Sequence, residues 1–186
     1  MNKAVFLDRD GVITQDPPHY AHKLSQLKLI PGSSKAISLL NKMGFLVIVV
    51  SNQSGVAKGY YKEEDVKIFN DAMERELNEG GALIDAIYYC PHHPESKIDL
   101  YRMECDCRKP EPGMLKQAQK DMDLDLKKSI MIGDKNSDIE AGKKVGCKTI
   151  MVLTGHGKEE SEKPGEYDYI VDDLHSAVEL ILKEKW

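Results

Sequence analysis

The sequence predicts an α/β fold in which a doubly wound parallel sheet carries helices on both faces. Short apolar runs alternate with segments of helical periodicity, as in repeated strand–helix units. The run Phe45–Val50 is continuously apolar and rich in β-branched residues, which is typical of a parallel strand buried on both faces. In such sheets ligands bind outside the carboxyl ends of the strands. The candidate site residues are therefore those that follow the predicted strands.

The predicted elements alternate along the chain. Val66, Phe69 and Met73 recur at helical spacing and place one apolar stripe on a helix. Two predicted helices run from Pro31 to Gly44 and from Lys62 to Asn78. A third ends near Gly146, and the last begins after Asp172-Asp173. The predicted strands are Lys3–Leu7, Phe45–Val50, Ile84–Tyr89, Ser129–Gly133, Lys148–Leu153 and an edge strand Tyr169–Val171.

The chain has 186 residues, of which 41% are hydrophobic and 31% charged, and its formal net charge is −5. This length and apolar fraction predict one compact domain. The acidic balance argues against nucleic acid or a membrane surface as a partner, because both are negatively charged. We expect a cytoplasmic protein, because the N-terminal segment lacks the apolar stretch of a signal and no run approaches the ~20 apolar residues that span a bilayer.

Two aspartates follow the first predicted strand, in Asp8-Arg9-Asp10-Gly11. Carboxylates this close repel each other, so the pair suits a divalent cation or two different catalytic roles, and Gly11 allows the sharp turn that lets both face one point. An acidic turn that merely ends the strand explains the motif equally well. A calcium loop does not, because His19 stands where such a loop needs an acidic ligand.

Polar residues also follow the second and fourth main strands. Ser51-Asn52-Gln53-Ser54-Gly55 offers hydroxyl, amide and backbone donors suited to phosphate oxygens, although an ordinary polar turn has the same composition. In the segment 133–138, Asp134 and Asp138 lie one helical turn apart and are able to face one site. They would equally serve as a helix cap and a favourable charge at a helix N-terminus. Each motif alone leaves the choice open.

Three of the four cysteines cluster between positions 90 and 107, together with two histidines. In a reducing compartment such a cluster favours a metal over disulfides, and four sulfur or imidazole ligands suit tetrahedral zinc in a closed, structural site. His92 is preferred to His93, because its spacing from Cys90 matches that between the other two cysteines. The predicted zinc ligands are Cys90, His92, Cys105 and Cys107. Free thiols beside a chance histidine are the alternative.

With Lys109, these motifs resemble the haloacid dehalogenase superfamily of phosphohydrolases. That pattern has Asp-x-Asp-Gly after the first strand, Ser or Thr after the second, Lys before a helix and an acidic motif after the fourth strand. This chain has the same order, with Asp8 and Asp10, Ser51, Lys109, and Asp134 with Asp138. The resemblance implies a single phosphatase domain over 1–186, with a zinc loop at 90–107, and the short insertions leave little room for a large cap domain.

The resemblance also implies a covalent mechanism. Asp8 would attack phosphorus and form an aspartyl phosphate, while Asp10 would act first as acid and then as base. Mg²⁺ would bind Asp8, the backbone carbonyl of Asp10 and Asp134. Ser51 and Lys109 would bind the phosphate oxygens. Asp138 is expected to orient these groups rather than to bind the metal.

The zinc loop narrows the resemblance to the heptose bisphosphate phosphatases, which remove the 7-phosphate of D-glycero-D-manno-heptose 1,7-bisphosphate. The matching stretches are Cys-Pro-His-His-Pro from Cys90 and Cys-Asp-Cys-Arg-Lys-Pro-Glu-Pro-Gly-Met from Cys105. The implied partner is a small phosphorylated sugar, and Arg108 suits the phosphate that is not cleaved. The implied substrate contacts are Asp16, His19, Tyr20, Ser51, Asn52, Gln53, Ser54, Arg108, Lys109 and Lys135.

One segment departs from that family, and two other functions stay open. The family often has Asp-His-Gly-Tyr where this chain has Asp16-Pro17-Pro18-His19-Tyr20, so the stiff proline pair is expected to reshape the pocket entrance and leaves the anomer preference open. A histidinol phosphate phosphatase shares the core and a similar zinc loop, but its pattern lacks Pro112-Gly113-Met114. A receiver-like phosphorylation switch needs neither Asp10 nor a zinc loop. A compact hydrolase without a large cap could act as a monomer.

Overall fold

The computed structural model describes residues 1–18 and 20–186, and a six-stranded parallel sheet forms its centre. The strands are β1 (Ala4–Leu7), β2 (Leu46–Asn52), β3 (Ala86–Cys90), β4 (Ile130–Gly133), β5 (Lys148–Val152) and β6 (Tyr169–Val171). Their order is β3-β2-β1-β4-β5-β6, and every neighbouring pair is parallel. The chain winds outward from β1 in both directions, which confirms the predicted doubly wound fold.

Helices cover both faces of this sheet. They are α1 (Ser33–Lys42), α2 (Ser54–Ala57), α3 (Glu63–Glu79), α4 (Gly113–Met122), α5 (Asn136–Lys144), α6 (Gly157–Ser161) and α7 (Leu174–Glu184). Val5 and Leu7 of β1 pack with α1, α3 and α7, whereas Ala4 and Phe6 pack with α4 and α5. Because both faces of β1 are fully buried, each of its positions is apolar.

The second strand extends beyond its predicted end. Ser51 and Asn52, expected in a loop, belong to β2 and pair with Tyr89 and Cys90 of β3. An apolar run marks only the part of a strand that lies in the core, whereas backbone pairing with a neighbour carries the strand on to the border of the sheet. The short helix α2 then replaces the expected polar turn.

Two irregular segments border the carboxyl ends of the strands. One joins β1 to α1, and the other, which holds the zinc loop, joins β3 to α4. Within the described residues the only helices of these two segments are the 3₁₀ turns Leu24–Gln26 and Asp99–Tyr101. No helix in the described part of the chain is both long and apolar enough to cross a membrane.

Candidate active site

A cavity of about 1030 Å³ opens at the carboxyl ends of β1, β2 and β4. Gln53, a predicted substrate contact, does not line it, because its side chain is buried and bonds to Asp10 and Ser51. His19, another predicted contact, lies outside the described residues. The other predicted catalytic and substrate-binding residues all line the cavity, namely Asp8, Asp10, Asp16, Tyr20, Ser51, Asn52, Ser54, Arg108, Lys109 and Lys135.

The ammonium group of Lys109 is buried between two carboxylates. Its Nζ lies 2.8 Å from Asp8 Oδ1 and 2.6 Å from Asp138 Oδ1, and it also donates to the carbonyl of Val50 at 2.6 Å. Burial lowers the pKa of Lys109, but Asp138 and Asp8 outweigh burial and raise the pKa above its usual value. Lys109 is therefore held as a cation directly beside Asp8.

Asp8 follows β1 and is buried against this cation. Burial raises the pKa of Asp8, but the charges of Lys109 and Lys135 more than offset burial, so the net shift is downward. Asp8 is consequently a carboxylate at neutral pH. This is the form that is able to attack phosphorus.

Asp134, which follows β4, has a buried oxygen without a partner. Its Oδ2 accepts from the backbone N–H of His156 at 2.8 Å, whereas Oδ1 has no hydrogen-bond partner among the described residues. Burial raises the pKa of Asp134 to about 8, and the neighbouring Asp8 carboxylate adds to the rise. A divalent cation would satisfy the free oxygen and offset the repulsion, so these residues fit magnesium.

Asp138 belongs to the same carboxylate cluster, since one oxygen each of Asp8, Asp134 and Asp138 lie within 4.8 Å of one another. Both oxygens of Asp138 already have partners. Oδ1 binds the ammonium group of Lys109, and Oδ2 accepts from the backbone N–H of Lys135 at 3.0 Å, closing the first turn of α5. These contacts link Asp138 to the Lys109 side chain and to the start of α5, and its role as an orienting residue stays a prediction.

Two glycines pack against the Asp134 carboxylate. Gly11 and Gly155 have φ values of +91° and +57°, and a Cβ on either residue would overlap Asp134 Oδ2. Gly155 comes from the loop after β5, whose Thr154 hydroxyl donates to the carbonyl of Gly11 at 2.6 Å. The loops after β1, β4 and β5 therefore fix the carboxylate together.

The variant Gly155→Ala should displace the Asp134 carboxylate and weaken magnesium binding. We expect the Mg²⁺ concentration for half-maximal activity to rise by roughly 10- to 100-fold, as when the support of a metal ligand is removed. Gly146→Ala is the matched control, because Gly146 also has a positive φ of +81° but an added Cβ would meet only Lys127 Cγ at 3.6 Å. An unchanged magnesium requirement in Gly155→Ala would refute this role for the glycine.

Asn52, at the end of β2, holds the backbone of Lys109. Its Nδ2 donates to the carbonyl of Lys109 at 2.9 Å, and its Oδ1 accepts from the N–H of Lys109 at 3.0 Å. Through these two hydrogen bonds, the side-chain amide of Asn52 links the end of β2 to the segment that follows the zinc loop. Asn52 therefore fixes the lysine as well as lining the cavity.

The predicted zinc ligands form a compact tetrahedron beside the cavity. The three Sγ–Sγ distances among Cys90, Cys105 and Cys107 are 3.2, 3.2 and 3.5 Å, and His92 Nδ1 lies 3.3, 3.5 and 3.8 Å from the sulfurs. Zinc bonds of about 2.0–2.3 Å in tetrahedral geometry hold ligand atoms roughly 3.5–3.8 Å apart, whereas disulfide sulfurs lie about 2.05 Å apart. The cluster is therefore compatible with a zinc ion.

The zinc loop is connected to the cavity through Arg108, which follows Cys107 directly. Arg108 Nη1 donates to Ser54 Oγ at 2.7 Å and to the carbonyl of His92 at 3.1 Å. The next residue is Lys109. The conformation of the loop therefore sets where both cations lie.

Stripping zinc should impair turnover even though the cluster does not reach Asp8. We expect kcat to fall by about tenfold or more, because the backbone that presents Lys109 loses its anchor, and zinc readdition should restore the rate. The assay is run after the chelator is removed, with magnesium in excess, so that only zinc occupancy differs. Full activity and a normal fold in the zinc-free protein would contradict the coupling.

The carboxylate of Asp16 contacts two basic side chains at the rim of the cavity. Its Oδ2 lies 3.3 Å from Lys135 Nζ and 3.2 Å from His156 Nε2. Burial lowers the pKa of Lys135, but Asp8, Asp134 and Asp16 outweigh burial and raise it above its usual value. Lys135 thus adds a second permanent cation to the cavity.

Lys58 and Tyr60 are among the cavity-lining residues that sequence reasoning missed. Lys58 Nζ donates to the hydroxyl of Tyr20 at 2.8 Å, and the rings of Tyr20 and Tyr60 lie 5.8 Å apart. The available signal was spacing, since Lys58 lies four residues after Ser54 and would share its face on a helix. The polar residues before it favoured a turn instead.

Comparisons with known proteins agree with this geometry. A family model described as HAD-hydrolase-like matches residues 106–177. Relatives named D-glycero-beta-D-manno-heptose-1,7-bisphosphate 7-phosphatase are 42% identical over 97% of both chains in Pasteurella multocida, and 44% identical over 94% of both in Haemophilus influenzae. A relative from Photorhabdus laumondii, named for the alpha anomer, is 37% identical over 96% of both chains.

A solved structure is also similar over nearly its whole length. It is D,D-heptose 1,7-bisphosphate phosphatase from B. bronchiseptica, complexed with magnesium and phosphate, with a TM-score of 0.88, 33% identity, and coverage of 98% of this chain and 99% of that chain. The family resemblance predicted from the motifs is confirmed. The chain belongs to the heptose 1,7-bisphosphate 7-phosphatase family of HAD-like hydrolases.

Proposed function

We propose that this protein is a magnesium-dependent phosphomonoester hydrolase that removes the 7-phosphate of D-glycero-D-manno-heptose 1,7-bisphosphate. The observation that carries the proposal is the buried pair of Asp8 and Lys109, 2.8 Å apart at the cavity, beside the unpartnered oxygen of Asp134. A carboxylate nucleophile, a fixed cation and oxygen ligands for a metal are the parts that phosphoryl transfer needs. The proposal treats residues 1–186 as one phosphatase domain.

The residues divide the reaction into two displacements. Asp8 attacks phosphorus while Asp10 gives a proton to the departing sugar oxygen, and the product is an aspartyl phosphate on Asp8. Asp10 then takes a proton from water, which attacks the phosphorus and frees Asp8. Ser51 and Lys109 bind the phosphate oxygens throughout, where negative charge is concentrated.

Metals have separate roles in this scheme. Asp8, Asp134 and the backbone carbonyl of Asp10 would hold magnesium, which would offset the charge between the carboxylate nucleophile and the phosphate dianion. The three cysteines and His92 would hold zinc in a structural site, because four protein ligands leave no open position.

The cavity has basic groups for a second phosphate. Arg108 is held against Ser54 and the zinc loop, and its guanidinium fork suits the phosphate that is retained. Lys58 lines the same cavity, and its hydrogen bond to Tyr20 raises its pKa above the usual value. Two basic side chains at one cavity suit a sugar that carries a second phosphate.

The test is a substrate panel of both anomers of heptose 1,7-bisphosphate, fructose 1,6-bisphosphate and histidinol phosphate, followed by phosphorus NMR. Both heptose anomers are included because relatives named for each are similar to this chain. We expect the 7-phosphate to disappear while the 1-phosphate remains. The kcat/KM for heptose 1,7-bisphosphate should exceed that for histidinol phosphate by roughly 10²-fold or more, since histidinol phosphate has no second phosphate for Arg108 to bind.

Other outcomes identify the alternatives. A clear preference for histidinol phosphate would overturn the sugar assignment. A single phosphorylation without steady release of phosphate would indicate a receiver-like switch. Cytoplasmic location and action as a monomer stay predictions, and sedimentation of the purified protein tests the second of them.

A further inference from the structure

Arg9 lies between the two aspartates of the first motif, yet it does not line the cavity. It is only 1% exposed, and its guanidinium packs over the ring of Phe69 in α3 at 4.5 Å from the ring centre. Burying a guanidinium is costly unless its N–H groups find acceptors. The acceptors around Arg9 therefore indicate what its burial achieves.

The principal acceptor is Asp10. Arg9 Nε lies 3.1 Å from Asp10 Oδ1 and Nη2 lies 2.9 Å from Asp10 Oδ2, so the guanidinium binds both oxygens as a fork. The remaining bonds anchor the guanidinium to Asn70 Oδ1 at 2.9 Å, to the carbonyl of Ala21 at 3.1 Å and to Gln53 Oε1 at 3.2 Å. A fork fixes the plane of the carboxyl group as well as its position.

Gln53 extends this network to a residue that lines the cavity. Its Nε2 donates to Asp10 Oδ2 at 3.1 Å and to Ser51 Oγ at 2.8 Å, and its Oε1 accepts from the hydroxyl of Tyr61 at 2.8 Å. The proposed acid–base group and the proposed phosphate ligand Ser51 are thus held by one buried amide.

The two oxygens of Asp10 differ in their freedom. Oδ2 accepts from both Arg9 and Gln53, whose side chains are buried. Oδ1 accepts from Arg9 and from the hydroxyl of Thr14 at 3.2 Å, and that hydroxyl has an alternative acceptor in the carbonyl of Arg9 at 3.3 Å. Oδ1 is therefore the oxygen with a donor that is able to rotate to another acceptor.

We infer that Arg9 is a positioning residue that orients the carboxyl group of Asp10 so that Oδ1 serves the leaving oxygen of a phosphomonoester. The inference rests on the proposed function, in which the Asp10 proton moves to that oxygen as its bond to phosphorus breaks and Asp8 forms the new bond. A misplaced Asp10 costs most when the leaving group is weakly acidic, because such a group departs only if it is protonated.

The test is a series of aryl phosphates of graded leaving-group acidity, from p-nitrophenyl to phenyl phosphate. The kcat/KM values report the first displacement, and they do not depend on whether heptose is the substrate. We expect Arg9→Met to lower kcat/KM by roughly 10²-fold or more for phenyl phosphate and by less than about tenfold for p-nitrophenyl phosphate. Arg9→Lys should show a weaker form of the same dependence, since its ammonium group keeps the buried charge but loses the fork.

An equal loss across the series in both Arg9 variants would overturn the inference, because a merely structural role has no leaving-group dependence. Tyr61→Phe is the matched control, since it removes a bond from the same network without touching Asp10. If Tyr61→Phe increased the dependence of kcat/KM on leaving-group acidity as much as the Arg9 variants do, the inference would also be overturned. Asp10→Asn separates the two hypotheses. If it leaves the dependence unchanged, the acid role in the proposed function fails and the inference with it. If it steepens the dependence and neither Arg9 variant does, only the inference fails.

Discussion

Replacing Asp8 by asparagine should lower kcat by on the order of 10⁴-fold or more, because an amide cannot form the aspartyl phosphate and loss of a covalent nucleophile has effects of this size. Asparagine keeps the shape of the side chain and can still accept from Lys109. We therefore expect the fold to persist, which thermal unfolding followed by circular dichroism checks. Steady-state phosphate release gives the rate.

The matched control is Asp71→Asn, an exposed aspartate of α3 that does not line the cavity. It makes the same chemical change and should leave kcat within about twofold of the original, as for other surface substitutions. Substantial turnover by a homogeneous preparation of Asp8→Asn would remove Asp8 from the role of nucleophile.

Lys109→Met should reduce both catalysis and stability. We expect kcat/KM to fall by roughly 10²- to 10³-fold, because a preorganised cation no longer meets the charge of the transferring phosphoryl group. The free energy of unfolding should fall by roughly 3–5 kcal/mol, since Asp8 and Asp138 would be left as buried carboxylates without their shared partner. Urea denaturation measures the second effect.

Lys116→Met controls for both measurements, because Lys116 is exposed on α4, just after the same segment. It should leave kcat/KM unchanged and alter the unfolding free energy by no more than about 0.5 kcal/mol. If Lys109→Met were as stable as this control, the buried ion pairs would not contribute as the geometry indicates.

The fold could be predicted because its signals are local. Continuous apolar runs mark strands buried on both faces, and the spacing of Val66, Phe69 and Met73 marks a helix, so a parallel sheet with helices on both faces could be expected. The proposed site follows from the same rule, because carboxyl ends of neighbouring parallel strands meet at one border of the sheet.

What the sequence did not predict depends on contacts between distant residues. Gln53 has the composition of a substrate ligand, but its side chain turns inward because the buried Arg9, 44 positions away, offers it a partner. Arg9 itself resembles an exposed residue of an acidic turn until Asn70 and Phe69 of α3 pack around it. Periodicity and motif spacing carry no information about such pairings.

The most direct test of the proposed chemistry is to trap the enzyme with borohydride during turnover of a phosphomonoester in the presence of magnesium. Borohydride reduces an acyl phosphate to an alcohol, which converts the phosphorylated aspartate to homoserine, and peptide mass spectrometry locates the change. We expect homoserine at position 8, dependent on substrate and absent from Asp8→Asn. Homoserine at another aspartate, or steady phosphate release with no modified residue, would contradict Asp8 as the nucleophile.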